Sequence, residues 1–163
     1  MKRILFLLVV ACLTFTSCMK NESAVMDYND PGQAGDTAIM KYIQSKNIEG
    51  VLRDYSGLYY KVIEEGNAGE MVNSNSVAII SYKMVLIPEN KEIENSQGIP
   101  TSFNNRKLKD HIIGWQIGLR KIGKGGVIWL YIPPYLAFGN VGVDGLVPPN
   151  NSLFCELKLI DIK

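Results

Sequence analysis

Apolar and polar residues alternate along several short segments of this chain, and that period of two predicts β-strands. In the segment 153–162 the odd-numbered positions from 153 to 159 are Leu or Cys, whereas Glu156 and Lys158 lie between them. The segments 58–63, 76–86 and 127–132 are rich in β-branched and aromatic residues, and 91–94 is a short return strand after turn residues. Strands therefore dominate the second half of the chain.

Two segments have helical spacing instead. Ile39, Tyr42 and Ile43 follow the i, i+3, i+4 pattern, which predicts a short helix capped by Asp36 or Thr37 and ending near residue 46. The segment 112–122 also predicts a helix, but three glycines at or beside it weaken that helix unless it packs on a sheet. Strands outnumber helices and hairpin-like connections dominate, so the fold class is α+β with an antiparallel sheet.

Composition limits the function classes. The 163 residues are 47% hydrophobic with a formal net charge of +1, which suits one ordinary core. No basic excess marks a nucleic-acid partner, so none is expected.

The first residues predict export. Lys2 and Arg3 precede an apolar run at 4–13, which is shorter than the roughly 20 residues that span a bilayer. Cys18 follows small residues in a pattern that resembles the lipobox of bacterial lipoproteins, which implies lipidation of Cys18. Membrane attachment through lipid is the expectation, with an ordinary signal peptide and an incidental cysteine as the alternative. Residues 1–17 are then the signal peptide, and 18–50 a lipid-anchored tether with a short helix.

Residues for polar catalysis are scarce. The chain has one histidine, His111, and after loss of the signal and lipidation of Cys18 the one free thiol is Cys155. A catalytic triad or a zinc site cannot be assembled from them, and no metal or cofactor is expected. A packing or solvated role is favoured for His111, and a buried apolar role for Cys155.

The remaining candidates are aromatic, namely Tyr82, Phe103, Trp115, Phe138 and Tyr135. An apolar pocket suits isomerisation of an X-Pro amide, whose barrier of ~18–20 kcal/mol arises from resonance that rotation removes. Such a reaction needs no acid, base or covalent step. From composition alone, the same side chains also fit an ordinary hydrophobic core.

Four segments carry a family resemblance. SGLYYKV at 56–62, IIGWQIGL at 112–119, IPPYLAFG at 132–139 and VPPNNSL at 147–153 resemble the hallmarks of FKBP-type peptidyl-prolyl cis-trans isomerases, here a bacterial lipoprotein member. The resemblance implies a twisted antiparallel sheet of five or six strands half-wrapped around a short helix, in a domain covering 51–163. It also implies binding of proline-containing segments of exported proteins, in the cell envelope, at the outer membrane facing the periplasm.

The resemblance assigns roles to individual residues. Trp115 would be the pocket floor, Tyr82 and Ile112 its walls, and the backbone N–H of Ile112 the donor to a bound carbonyl. Leu146 and Val147 would lie in a loop that covers the site. The implied catalytic residues are Tyr82, Glu94, Trp115 and Phe138, and the implied substrate-binding residues are Ile93, Phe103, Ile112, Leu146, Val147 and Cys155.

Four positions depart from the family pattern. Phe138 replaces a tyrosine whose hydroxyl donates to the substrate, Ile93 and Glu94 replace a Phe-Asp pair, and Cys155 replaces an aromatic residue. One lost hydrogen bond costs about 0.5–1.5 kcal/mol, or at most roughly tenfold in rate. The alternative to an active isomerase is therefore a catalytically weak or inactive FKBP-like binding or chaperone lipoprotein.

Overall fold

The computed structural model describes residues 31–163, so the predicted signal peptide, Cys18 and the first part of the tether lie outside the described residues. The helices are α1 (Pro31–Ser45) and α2 (Ile113–Gly118), and α2 continues into a 3-10 turn at Leu119–Lys121. The strands are β1 (Leu52–Arg53), β2 (Tyr59–Glu64), β3 (Asn67–Met71), β4 (Ala78–Ile87), β5 (Lys91–Asn95), β6 (Gly123–Lys124), β7 (Val127–Ile132) and β8 (Ser152–Ile162).

Six strands form one antiparallel sheet in the order β1-β2-β7-β8-β4-β5. Its centre is β8, which pairs with β4 from Ser152 to Ile162 and with β7 on its other edge. β3 and β6 form a separate two-stranded sheet. The predicted α+β class and the antiparallel sheet of five or six strands are confirmed, and the sheet has six.

The inner face of the sheet carries the main core. The alternating residues of β8 that were predicted to share one face are fully buried, whereas Glu156 and Lys158 are exposed. α2 lies across this face with Trp115 and Leu119 buried against it. The short helix packs on the sheet, and this agrees with the expectation that a helix with these glycines is stable only when it does so.

Glycines let α2 approach β7 closely. A Cβ atom on Gly114 would lie 2.6 Å from a methyl carbon of Ile132, and one on Gly118 would lie 2.5 Å from Leu130 Cδ1. These separations are shorter than carbon atoms tolerate. The two glycines thus set the depth at which α2 holds Trp115.

The outer face of the sheet is partly covered by α1. Ile39 and Tyr42 of this helix are buried against Ile87, Tyr131 and the ring of Phe154. α1 begins at Pro31, earlier than predicted, so Asp36 lies inside the helix and pairs with Arg53 at 2.9 Å instead of capping it. Residues 31–35, expected in the tether, are therefore helical, and the helix packs on the sheet. No helix among residues 31–163 is long and apolar enough to cross a membrane.

Candidate active site

A cavity of about 130 Å³ opens above Trp115, between α2, the β4–β5 hairpin and two loops. It is much smaller than the roughly 300–1,000 Å³ of sites for drug-sized ligands, so its size suits a single side chain. Eight residues line it, namely Met84, Glu94, Phe103, Arg106, His111, Ile112, Trp115 and Phe138. Five of these were predicted from the sequence, and Met84, Arg106 and His111 were not.

Trp115 forms the base of the cavity, as predicted. It is the third residue of α2, and its side chain is only 4% exposed. The Tyr82 ring meets it edge-on at 5.5 Å and the Phe103 ring at 5.7 Å, while the His111 imidazole stacks on it at 5.5 Å. Tyr82 and Phe103 also contact each other at 5.2 Å. The aromatic residues therefore form one cluster around a buried indole.

Phe103 reaches this cluster from a left-handed turn. Three successive residues have positive φ, with 48° at Phe103, 58° at Asn104 and 60° at Asn105. Asn adopts this region readily, but a bulky aromatic residue such as Phe103 does so only under strain. Ser102 stabilises the turn, because its carbonyl accepts from Arg106 N–H at 3.0 Å and its hydroxyl from Asn105 N–H at 3.3 Å. This turn thus supplies one wall of the cavity.

Tyr82 and Glu94 form the polar edge of the aromatic cluster. Burial raises the pKa of Tyr82 to about 12, and the charge and hydrogen bonding of the Glu94 carboxylate add to this rise. The phenol therefore stays protonated at neutral pH and donates toward Glu94. Glu94 keeps the carboxylate that the resemblance predicted, next to the cavity.

Ile112 lies at the mouth of the cavity, immediately before α2. The N–H groups of Ile112 and Ile113 donate no hydrogen bond to the part of the chain that the structure describes. Unpaired N–H groups at a helix start are available to a carbonyl ligand. The N–H of Ile112, the predicted donor, is therefore available, with that of Ile113 beside it, and the donor role stays a prediction.

Cys155 does not line the cavity, although the resemblance had grouped it with substrate-binding residues. Its side chain is fully buried in β8 beneath Trp115. Burial raises the pKa of the Cys155 thiol to about 12, and the adjacent Trp115 indole opposes this rise by less. The strand alternation had placed this residue in the core, and that interpretation is the one the structure supports.

Leu146, Val147 and Ile93 also lie outside the lining of this cavity, and so does Tyr82, the predicted wall, although its ring contacts Trp115. Val147 is 2% exposed and packs in the main core, and Ile93 is partly buried against the same core beside Glu94. Leu146 and Val147 border a second cavity of about 430 Å³ between the 141–149 loop, Leu86 and Lys91. These residues therefore pack in the core around Trp115 or border another cavity, and they do not line the cavity above the indole.

His111 and Arg106 are the polar residues that the sequence gave no reason to place here. His111 had been interpreted as a packing or solvated residue, and the structure packs it between Trp115 and Phe103, whose ring it meets at 5.1 Å. His111 lies before α2 in extended backbone conformation, so no helical spacing in the sequence indicated this contact. Among residues 31–163, no group of three His, Cys, Asp or Glu side chains lies close enough to hold a metal ion.

Similar proteins share this architecture. Residues 68–160 match the profile of the FKBP-type peptidyl-prolyl cis-trans isomerase domain. FkpA of Escherichia coli K12 is 43% identical over 117 residues, which cover 71% of this chain and 41% of FkpA. Mip of Coxiella burnetii is 37% identical over 123 residues, covering 73% of this chain and 50% of Mip. The chain thus matches about half or less of the length of these relatives.

Solved structures agree with the sequence comparison. The crystal structure of Escherichia coli FkpA superposes with a TM-score of 0.70 at 37% identity, covering 84% of this chain and 61% of that one. A peptidyl-prolyl cis-trans isomerase from Pseudomonas syringae pv. tomato gives a TM-score of 0.66 at 25% identity, covering 82% and 96%. The profile match spans more than half of the chain and the sheet, the helix and the aromatic cavity agree with it, so this protein belongs to the FKBP-type peptidyl-prolyl cis-trans isomerase family.

Proposed function

We propose that the protein catalyses cis-trans isomerisation of X-Pro bonds in polypeptides, and that the proline ring enters the cavity above Trp115. The observation that carries this proposal is the buried indole at the base of a cavity of about 130 Å³ with aromatic walls. A flat apolar base with edge-on rings around it suits a five-membered apolar ring.

The chemistry follows from the surroundings of the amide. A planar X-Pro amide is polar, because resonance places negative charge on oxygen and positive charge on nitrogen. Removing it from water disfavours this planar form relative to the twisted one. The free N–H groups of Ile112 and Ile113 hold the carbonyl while the bond rotates. No covalent or metal step is needed.

The test uses a peptide with one X-Pro bond, whose cis and trans signals are resolved by NMR. Catalysis appears as exchange between the two signals that is far faster than uncatalysed isomerisation, which takes tens to hundreds of seconds. Absence of any acceleration by the folded protein would refute the proposed activity.

A second candidate function, binding of proline-containing segments with little or no turnover, is favoured by Phe138. This residue lines the cavity without a hydroxyl group. We expect Phe138→Tyr to raise kcat/KM by up to roughly tenfold, because a phenol there adds one hydrogen bond to the reacting carbonyl.

The wild-type kcat/KM distinguishes a catalyst from a binding module. If only Phe138→Tyr is active, the natural protein is a binding module. An unchanged or lower kcat/KM in a folded Phe138→Tyr variant would show that the missing hydroxyl does not limit catalysis. Tyr135→Phe is a matched control, since it changes a phenol on the same segment that is 46% exposed and does not line the cavity.

We also propose that the protein is lipid-anchored through Cys18 and assists the folding of exported proteins at the outer membrane, facing the periplasm. The supporting features are the basic and apolar residues at 2–13 and the small residues before Cys18. Cys18→Ser is expected to move the protein from the membrane to the soluble fraction and to abolish incorporation of labelled fatty acid. Equal membrane association of wild type and Cys18→Ser would refute the anchor.

A further inference from the structure

One cation at the cavity forms no ion pair within residues 31–163. Arg106 contributes to the cavity lining and is exposed. Among residues 31–163, no carboxylate lies within ion-pair distance of its guanidinium, although five other ion pairs are formed there. A cation that lines a binding cavity without a partner is available to a ligand.

The backbone of Arg106 is fixed at this place. Its N–H donates to Ser102 at the end of the left-handed turn, and the His111 side chain hydrogen-bonds to the backbone of Arg106. The same imidazole stacks on Trp115. His111 therefore ties the base of the cavity to the turn that carries both Phe103 and Arg106.

The positive charge of Arg106 affects His111, another residue that lines the cavity. Burial lowers the pKa of His111, and the positive charge of Arg106 lowers it further, while hydrogen bonding to the Arg106 backbone and the charge of Asp110 oppose the change. The imidazole is thus neutral at pH 7 and does not compete with Arg106 for an anion. The other charged lining residue is Glu94, which accepts from Tyr82.

We propose that Arg106 is a specificity-determining residue that favours client segments with a carboxylate side chain adjacent to the isomerising proline. This inference rests on the proposed prolyl site above Trp115. With the proline ring on the indole, a neighbouring Glu or Asp side chain lies at the rim, where it meets the unpaired guanidinium. A lysine at the same place is disfavoured, because it meets a like charge.

The experiment measures kcat/KM for peptides that differ only at the residue before proline (Glu, Gln or Lys), and for a second set varied at the residue after it. We expect the Glu peptide to exceed its Gln counterpart by about threefold to fivefold in one of the two sets, the size of a partly exposed ion pair. The preference should shrink between about 0.1 M and about 1 M salt, since the Debye length falls from about 10 Å to about 3 Å.

Two variants decide the assignment. Arg106→Gln should bring the Glu to Gln ratio close to one, and Arg106→Glu should invert it. Lys107→Gln, which removes the neighbouring cation that does not line the cavity, should leave the ratio unchanged. Equal rates for Glu and Gln peptides in both sets, or a preference that persists in Arg106→Gln, would overturn the inference.

The charge preference and the catalytic activity are tested by separate measurements. If no peptide is accelerated, catalysis is refuted, and the same Glu to Gln ratio is then read from dissociation constants in an NMR titration. A charge preference in binding that Arg106→Gln removes still supports the role of Arg106. Equal affinities, or no binding of any peptide, overturn it.

Discussion

Replacing Trp115 with alanine is expected to lower kcat/KM for an X-Pro peptide by about 100-fold or more. The indole is the base of the cavity and the ring that Tyr82, Phe103 and His111 contact. Its removal takes away the apolar surface that holds the proline ring and lets water reach the amide, so the twisted state loses its advantage. The measurement is NMR exchange between the cis and trans signals of one peptide.

Loss of activity must be separated from loss of the fold. A buried Trp→Ala change costs about 3–5 kcal/mol, a large share of the roughly 5–15 kcal/mol of stability of a typical domain. Trp115→Leu keeps most of the apolar volume, and we expect it to stay folded while losing at least about tenfold in kcat/KM. Full activity in a folded Trp115→Leu variant would contradict the assignment of Trp115.

Trp129 provides the matched control. It lies on the outer face of the sheet, where its ring meets Phe154 edge-on at 5.9 Å and its N–H donates to Glu156 at 2.8 Å. Trp129→Phe therefore removes an indole far from the cavity lining. We expect kcat/KM to stay within about twofold of wild type, a change of under roughly 0.5 kcal/mol in the barrier.

The longer strands could be predicted because the alternation of apolar and polar residues shows directly which side chains are buried. β7 was predicted at 127–132 and is found at Val127–Ile132, and β8 begins one residue before the predicted start at 153. β1, β3 and β6 were missed. β1 and β6 have two residues each, too few to show a period, and all five residues of β3 are exposed, so they show no apolar alternation. The pairing of β6 with Asn67 depends on contacts distant in sequence.

The site was predictable only as far as its residues repeat a family pattern. Trp115, Phe138 and Ile112 fall in such segments, and the structure brings them together. Arg106 and His111 do not lie in such segments. Arg106 is placed at the cavity by the left-handed turn before it, and His111 is held by contacts with two aromatic rings. Dihedral angles of this kind depend on tertiary packing and leave no period in the sequence.

Cys155 shows how two kinds of sequence evidence can disagree. The resemblance placed it in the pocket, whereas its position in an alternating strand placed it in the core. The structure buries it completely beneath Trp115. A thiol is smaller than the aromatic residue expected there, so the position supports the indole from below and does not reach the cavity.

Replacing Gly118 with alanine is expected to destabilise the protein by about 1–3 kcal/mol, even though alanine favours a helix by roughly 1 kcal/mol over glycine. The added Cβ would lie 2.5 Å and 2.6 Å from the two methyl carbons of Leu130, so α2 must move away from β7. Because Trp115 lies on the same short helix, kcat/KM should fall as well. The free energy of unfolding is measured by urea denaturation.

A double-mutant cycle with Leu130→Val identifies the cause. If the clash with Leu130 is the reason, the double variant should be more stable than the sum of the single effects by about 1 kcal/mol. Gly69→Ala is the matched control, because a Cβ there lies 3.3 Å from only the Asn67 side-chain oxygen, on an exposed strand, and should change stability by at most about 0.5 kcal/mol. Additive effects of Gly118→Ala and Leu130→Val would show that close packing of α2 on β7 does not position Trp115.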